Sequence, residues 1–414
     1  MILIENDIVL SQAKTIWVGY SGGIDSSVLL HVLSQSENFK FKLKAVHINH
    51  QLQDAAKDFE QHCEAQAKSW NVCLKILYVQ NKIQPGESLE AYARAERYKL
   101  FESCLEPGDV LVTSHHQEDQ AETFLIQLVR GAGVEGLSAM GISSTLGQGI
   151  LYRPFLNISK QELKNYASAN KLSWIEDPSN LNINLERNFW RHEILPLLIQ
   201  KHPSVIKIIA RSARHCAGAS ELIKNYSQEL LIKISGDLNN LNLLKLFEYS
   251  HAEQKAVLRE WLLSFDLILS EQQLEIIRTE QSLVLNKIEI RKFKNYLYLI
   301  KNKNPQELWE IKWNGEGVLN LPHWPWGITQ ESFKKSGIDI NKIDWSFLSL
   351  KNRRGGERIL YSGALHHKTL KNIFQEKQIP PWLRDHLPLV SMGGELIGVI
   401  LPEEGSTCLL KHPD

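Results

Sequence analysis

Between one short apolar run, Ile16-Trp17-Val18, and a second, Val28-Leu29-Leu30 with Val32-Leu33, stands the segment Gly19-Tyr20-Ser21-Gly22-Gly23-Ile24-Asp25-Ser26-Ser27. Two glycines permit a tight turn that points backbone N–H groups at an anion. A helix starting there adds its positive end, and the hydroxyls of Ser21, Ser26 and Ser27 add donors. The pattern reads as a phosphate cradle. A Walker loop would carry a Lys to reach the outer phosphates; here no Lys falls in the loop, and Asp25 sits at the helix start instead. A second cluster, His115-His116-Gln117-Glu118-Asp119-Gln120-Ala121-Glu122-Thr123, is dense in titratable groups. On a helix, Asp119 and Glu122 share a face at i, i+3. Carboxylates grouped in this way could hold Mg²⁺ beside a triphosphate, bind an ammonium, or simply complement the positive end of a helix. The third cluster, His47-Ile48-Asn49-His50, has no third ligand nearby, and at a strand end its two rings turn to opposite faces, so it is not read as a zinc site.

Positioning these groups falls to an alternation of strands and helices. Strands are expected over 43–48, 72–79 and 110–113, and helices over 54–70, 88–105 and 118–129, the last stopped by Gly131 and Gly133. A βαβα order implies a parallel sheet with helices on both faces, and such sheets bind ligands at the carboxyl ends of their strands. All three polar clusters fall at strand ends. Residues 141–149 are small and polar and read as a loop. Residues 195–300 read as mostly helical, 302–344 as a connector rich in turn residues and tryptophans, and 345–408 as a last compact unit. The fold class is α/β, an N-terminal doubly wound parallel sheet followed by a helical domain and a small α+β C-terminal domain.

With 414 residues the chain has room for two or three domains. Lys plus Arg and Asp plus Glu are both 47, so bulk charge gives no argument for nucleic acid and any basic surface must be local. Cys63, Cys73, Cys104, Cys216 and Cys408 form no CxxC pair, which argues against a zinc ribbon or a thioredoxin-type couple. Their odd number suits a reducing compartment. No basic n-region opens the chain and no apolar run reaches spanning length, so a cytoplasmic protein without a membrane partner is expected.

The Ser21–Ser26 loop resembles the SGGxDS signature of PP-loop ATP pyrophosphatases, which cleave ATP between the α- and β-phosphates. The resemblance narrows with the other motifs. The loop, the HINHQL segment from His47 and HHQEDQAETFLIQLVRGAG from His115 are similar to three motifs of the tRNA(Ile)-lysidine synthetase family. So are Arg153-Pro154-Phe155-Leu156, Asp177-Pro178-Ser179-Asn180 and Arg187-Asn188-Phe189-Trp190-Arg191. The family-like ending comprises Arg354-Gly355-Gly356-Glu357-Arg358, His366-His367-Lys368-Thr369-Leu370-Lys371 and Ile379-Pro380-Pro381-Trp382-Leu383-Arg384. Glu118 stands where many members have Asp, and Gln51 where Gly is common. The resemblance implies an adenine nucleotide α-hydrolase-like domain that adenylates the C2 oxygen of the wobble cytidine in a CAU-anticodon isoleucine tRNA. The ε-amine of free L-lysine then displaces AMP to give lysidine. It implies ATP and Mg²⁺ as cofactors and no obligate protein partner.

On that resemblance Ser21, Gly22, Gly23, Ile24, Asp25 and Ser26 hold ATP, and Asp25, His115, Asp119 and Glu122 are the candidate catalytic residues. Asp25 and Asp119 are candidate Mg²⁺ ligands. Asp119 or Glu122 could bind the lysine ammonium or take part in proton transfer. Residues 181–216 carry an excess of four cationic over acidic residues, and 351–386 an excess of five. On charge alone a solvated helix face explains both; within the motifs, Arg153, Arg187, Arg191, Arg354, Lys368, Lys371 and Arg384 are candidates for gripping tRNA. Trp190 and Trp382 could stack on bases, although packing is the commoner fate of a Trp. The expected domains are 1–215 (PP-loop, catalytic), 216–310 (helical, tRNA-contacting), 311–344 (connector) and 345–414 (tRNA-binding). Three rivals remain. A thiolase would need a cysteine within the motif clusters, an amidotransferase-type synthetase would need an ammonia source, and a non-catalytic tRNA binder would have no reason to keep both clusters intact.

Overall fold

The computed structural model describes residues 4, 7–51, 56–80, 89–235, 240–279, 282–285, 288–301, 308–322, 327–335, 341, 343–360, 367–400 and 407–409. His366 and the expected starts of the helices at 54 and 88 lie outside them. The chain divides into two compact units, Met1–Tyr226 and Ser227–Asp414.

In the first unit, α1 (Ile8–Gln12) leads into β1 (Ile16–Gly19), α2 (Ile24–Gln35), β2 (Leu43–Asn49), α3 (Ala56–Ser69), β3 (Cys73–Tyr78), α4 (Leu89–Glu102), β4 (Val110–Val112) and α5 (Gln117–Val129). There follow α6 (Val134–Leu137), β5 (Ser143–Leu146), β6 (Gly149–Tyr152), α7 (Lys160–Ala169), α8 (Glu186–Phe189), a π-helical turn (Trp190–Ile194), α9 (Leu195–Lys201) and α10 (Val205–Ile234), which runs past the unit boundary. The six strands form one sheet in the order β3-β2-β1-β4-β6-β5. All neighbours are parallel except β5 and β6.

Strand β1 is buried on both faces. Ile16 and Val18 pack with Leu29, Leu30 and Leu33 of α2 on one side, and Trp17 with Phe101 and Leu111 on the other. Such two-sided burial explains its unbroken apolar run. The expected loop at 141–149 is instead a hairpin turning at Gly147, where φ is +55°. Strand β5 is short and exposed, and Ser143, Ser144 and Thr145 give no apolar alternation, so backbone pairing to the mostly buried β6 makes the structure where side chains gave no signal.

In the second unit the expected helices are present as α12 (His251–Leu263) and α13 (Glu271–Arg278), after β7 (Asn240–Asn242) and α11 (Leu243–Leu246). With them comes an antiparallel sheet, β7-β10-β9-β8, made with β8 (Leu283–Leu285), β9 (Ile288–Phe293) and β10 (Tyr296–Lys301). Trp261, Leu258, Ile290 and Leu297 share its core. Next come β11 (Glu310–Lys312), α14 (Gln330–Lys335), β12 (Leu348–Lys351), β13 (Arg358–Leu360), β14 (His367–Thr369), α15 (Leu370–Glu376), α16 (Pro381–Arg384), β15 (Leu389–Met392), β16 (Glu395–Ile400) and β17 (Thr407–Leu409). They build a five-stranded antiparallel sheet, β11-β12-β15-β16-β17, and a separate β13-β14 pair. Residues read as connector contribute β11 to this sheet, and Trp313, Leu321, Ile328 and Phe333 to its core. No described helix is long and apolar enough to cross a membrane.

Candidate active site

The strand order reverses between β1 and β4. Chains leaving the carboxyl ends of these neighbours diverge, and the crevice between them is where open α/β sheets bind ligands. The loop after β1 is Tyr20 to Gly23, and the loop after β4 is Thr113 to His116. The two strongest motifs therefore meet because of topology. Strand β2 supports them: His47 bonds through Nδ1 to the Tyr20 carbonyl at 2.9 Å.

The loop after β1 has the form its sequence requires. Gly22 has φ +81°, and a Cβ added there would lie 3.0 Å from the Cys63 sulfur. Its carbonyl accepts a bond from the Ile175 N–H at 3.0 Å, which ties the loop to the chain after α7. Ser26 Oγ donates to the Gly23 carbonyl at 3.0 Å and accepts from the Ser21 N–H at 3.2 Å, with Ser21 Oγ 3.1 Å away. Helix α2 begins after Gly23 with no side chain capping it. Its positive end is left for an anion.

Facing this cradle is a compact charge cluster. His116 is the N-cap of α5 and is almost wholly buried. Its Nδ1 lies 3.0 Å from Glu118 Oε2, and its Nε2 lies 3.4 Å from Asp119 Oδ2 and 3.6 Å from Asp25 Oδ2. Burial opposes a charge on this ring, but Asp119, Asp25 and Glu118 outweigh it and push the pKa up to about 10. His116 is thus an imidazolium at neutral pH. Its neighbour His115 goes the other way. Burial, reinforced by Arg187, Arg153 and Arg94 against the pull of Asp119, takes it down to about 3, and its Nδ1 pairs with Thr113 Oγ1 at 2.9 Å.

Asp119 and Glu122 do share a face, and arginines occupy them. Arg187 reaches Glu122 through Nε at 2.8 Å and Asp119 through a terminal nitrogen at 3.1 Å. Arg191 donates to Glu122 at 2.7 and 2.9 Å and to Asp119 at 3.0 Å. The other Asp119 oxygen accepts the His116 backbone N–H at 2.9 Å. Burial alone would raise the Asp119 pKa; His116, Arg187 and Arg191 reverse this and hold it well below the usual range. Counting Asp25, Glu118, Asp119 and Glu122 against His116, Arg187 and Arg191 leaves one net negative charge.

Arg187 and Arg191, expected on a tRNA-gripping surface, are thus turned inward onto carboxylates. Arg153 is buried as well and donates to the Gly141 carbonyl at 2.7 Å. The missed signal was spacing: arginines at i, i+4 on one helical run match carboxylates at i, i+3 on another. Mg²⁺ fits one of its two expected ligands. Asp25 Oδ1 is buried without a partner, as a group awaiting a cation would be, whereas the oxygens of Asp119 are already engaged. Among the described residues no group of three or more His, Cys, Asp and Glu is arranged to hold a metal. One carboxylate plus substrate phosphates suits Mg²⁺ nonetheless.

In the second unit Lys371 is exposed and Arg354 largely so, while Lys368 pairs with Glu376 at 3.0 Å and Arg384 donates to the Ile379 carbonyl at 2.9 Å. Trp382 packs on Tyr298 and Phe293, with ring centroids 5.3 and 5.8 Å away. In the first unit Trp190 is half-buried against Phe189.

A cradle without a Walker lysine, opposite a charged helix start at the switch point of a parallel sheet, defines a PP-loop ATP-using domain. A family model described as a PP-loop domain matches residues 3–198, and one described as a TilS substrate C-terminal domain matches 348–401. The chain is 39% identical to a tRNA(Ile)-lysidine synthase of Coxiella burnetii over 406 residues, covering 94% of this chain and 89% of that protein. It is 38% identical to one of Legionella pneumophila over 94% of this chain and 92% of the other, and 35% identical to one of Methylococcus capsulatus over the same shares. The chain belongs to the tRNA(Ile)-lysidine synthase family, and it is a ligase. Among solved structures, the U34-tRNA thiolase NcsA of Methanococcus maripaludis is similar at 19% identity and a TM-score of 0.44, covering 51% of this chain and 75% of the other, a likeness too loose to build on.

Proposed function

We propose that the protein joins the ε-amine of free L-lysine to C2 of the wobble cytidine of a CAU-anticodon isoleucine tRNA, through an adenylated cytidine, with release of AMP and diphosphate. The observation that carries this reading is the cradle of Ser21 to Ser26 placed opposite the His116–Asp119–Glu122 cluster in a chain of this family. The C2 oxygen is a poor leaving group until it becomes a phosphate ester. Backbone N–H groups at the α2 N-terminus and the Ser21 and Ser26 hydroxyls would take the charge that grows on the departing diphosphate. The His116 imidazolium, beside Asp25, adds a fixed positive charge at the crevice. When bound, Mg²⁺ would neutralise phosphate oxygens, with Asp25 as its protein ligand.

Neither His115 nor Asp119 is built to collect the amine's proton, since the environments of both make them weak bases. His115 serves to orient, and Asp119 to hold charge.

A sulfur-transfer reading meets a specific obstacle. Cys63 does lie beside the cradle, but burial, aided by Glu60 and Glu64, pushes its thiol up to about 12. A protonated, buried thiol is no nucleophile.

The test is transfer of labelled lysine, with ATP and Mg²⁺, to isoleucine and methionine tRNA transcripts that share the CAU anticodon. Base-stable label on the isoleucine transcript alone is the expected result. Diphosphate release without label on either would keep the nucleotide chemistry and sink the substrate.

A further inference from the structure

We infer that Arg187 and Arg191 are positioning residues of the reaction site, acting through Asp119 and Glu122, and are not part of the surface that holds tRNA. Five N–H donors from the two guanidiniums converge on two carboxylates, and Glu122 is 0% exposed. A carboxylate so buried stays charged only when it is fully paired. Planar forks suit this task better than ammonium groups would.

The arginines also belong to a strut. Residues 186–201 run as α8, a π-helical turn and α9, and Arg191 sits in the turn itself. π turns occur mostly where a helix is adapted to function. Upstream, the same stretch is tied to the cradle through Ile175 and Gly22, and Asn188 fastens the helix start to the Asn182 carbonyl at 3.0 Å. The strut thus joins the cradle to α5. Charge continues the connection: the arginines fix Asp119, Asp119 faces His116, and His116 faces Asp25 at the head of α2. Removal of both guanidiniums would leave four carboxylates around one imidazolium, a net charge of minus three, and the crevice would have to take up protons or swing open.

The inference rests on the proposed reaction for its substrates, so the test reads diphosphate release, which needs only the nucleotide chemistry. Full-length Arg187→Gln, Arg191→Gln and Arg191→Lys are compared with wild type at saturating tRNA, and tRNA affinity is measured against salt. We expect the Gln variants to bind tRNA within about twofold of wild type with an unchanged salt slope, and to lose roughly a hundredfold in kcat, as misplaced catalytic groups do. Arg191→Lys should recover part of the lost kcat. If a Gln variant does not fold, Arg187→Lys and Arg191→Lys, which keep the charge and lose the planar fork, are read in its place, with a smaller loss of kcat and the same unchanged salt slope expected. Weaker tRNA binding, a salt slope lower by about one per arginine and an unchanged kcat would overturn the inference, as would a loss of kcat as large in Arg191→Lys as in Arg191→Gln. Wild-type diphosphate release without lysine transfer would remove the proposed substrate and leave the test of the arginines standing.

Discussion

Two adjacent histidines in one loop carry opposite charge states, and the cause is the partner each one meets. His115 faces a hydroxyl and, at longer range, arginines, so burial holds it neutral with a pKa of about 3. His116 faces three carboxylates that overcome its burial and raise it to about 10. Linkage converts these shifts into opposing slopes. Between the folded value of His115 and its usual 6.5, the unfolded chain binds more protons, so stability from this residue rises with pH and is lost as pH falls through that window. The stabilisation of His116 is complete below 6.5 and is lost as pH rises towards 10. The pair together favour the folded state most near pH 6.5. Denaturant midpoints measured from pH 4 to 10 should therefore lose their alkaline decline in His116→Gln and their acidic decline in His115→Gln. An alkaline decline as steep in His116→Gln as in wild type would refute the ion cluster.

Backbone conformation governs the next scale. Gly22 and Gly23 look equivalent in the sequence, yet only Gly22 has a positive φ and a crowded Cβ position; at Gly23 the nearest atom is Ser21 Oγ, 3.5 Å away, and φ is −75°. Gly22→Ala should cost about 1–3 kcal/mol of stability, the usual cost of a strained non-glycine backbone, and slow ATP-dependent diphosphate release. Gly23→Ala should keep the fold. Adding Cys63→Ala to Gly22→Ala should return the steric part of the loss and leave the part due to φ, a division that thermal unfolding of the three variants measures. Equal midpoints for the Gly22 and Gly23 variants would show that the loop is not held as described. The same contrast explains what was legible. The parallel sheet, the cradle and the carboxylate helix could be read because buried strands and glycine turns leave strong local patterns. The hairpin at Ser143–Tyr152 and the strands from Asn240 to Lys301 were not separated, because strands this short carry little side-chain pattern, and β6 and β7 are completed by β4 and β10, which are distant in sequence. The motif marked Arg187 and Arg191 as candidates for gripping tRNA, but their pairing with α5 depends on a fold that brings positions 65 to 72 residues apart into contact.

Across the whole molecule, zero net charge means that any grip on tRNA must come from local surface, and the structure ranks the candidates by their existing commitments. The described chemistry-bearing groups lie in the first unit, where the basic motif residues Arg153, Arg187 and Arg191 already have partners inside the protein. In the second unit Lys368 is held by Glu376 and Arg384 by a backbone carbonyl, which leaves Lys371 and the largely exposed Arg354, 3.8 Å from Glu310, as the two of these four candidates most available to phosphates. Each phosphate contact contributes about one unit to the slope of log affinity against log salt. Arg354→Ala with Lys371→Ala should thus lower that slope by about two and weaken tRNA binding uniformly across tRNA sequences, and Lys368→Ala with Arg384→Ala should lower it less. Diphosphate release at saturating tRNA should stay at the wild-type rate in both pairs, because no cradle or cluster residue is touched. Filter binding from 50 to 200 mM salt, read beside that rate, separates the two jobs. A loss of kcat with an unchanged slope would place these residues in the chemistry and not in the grip.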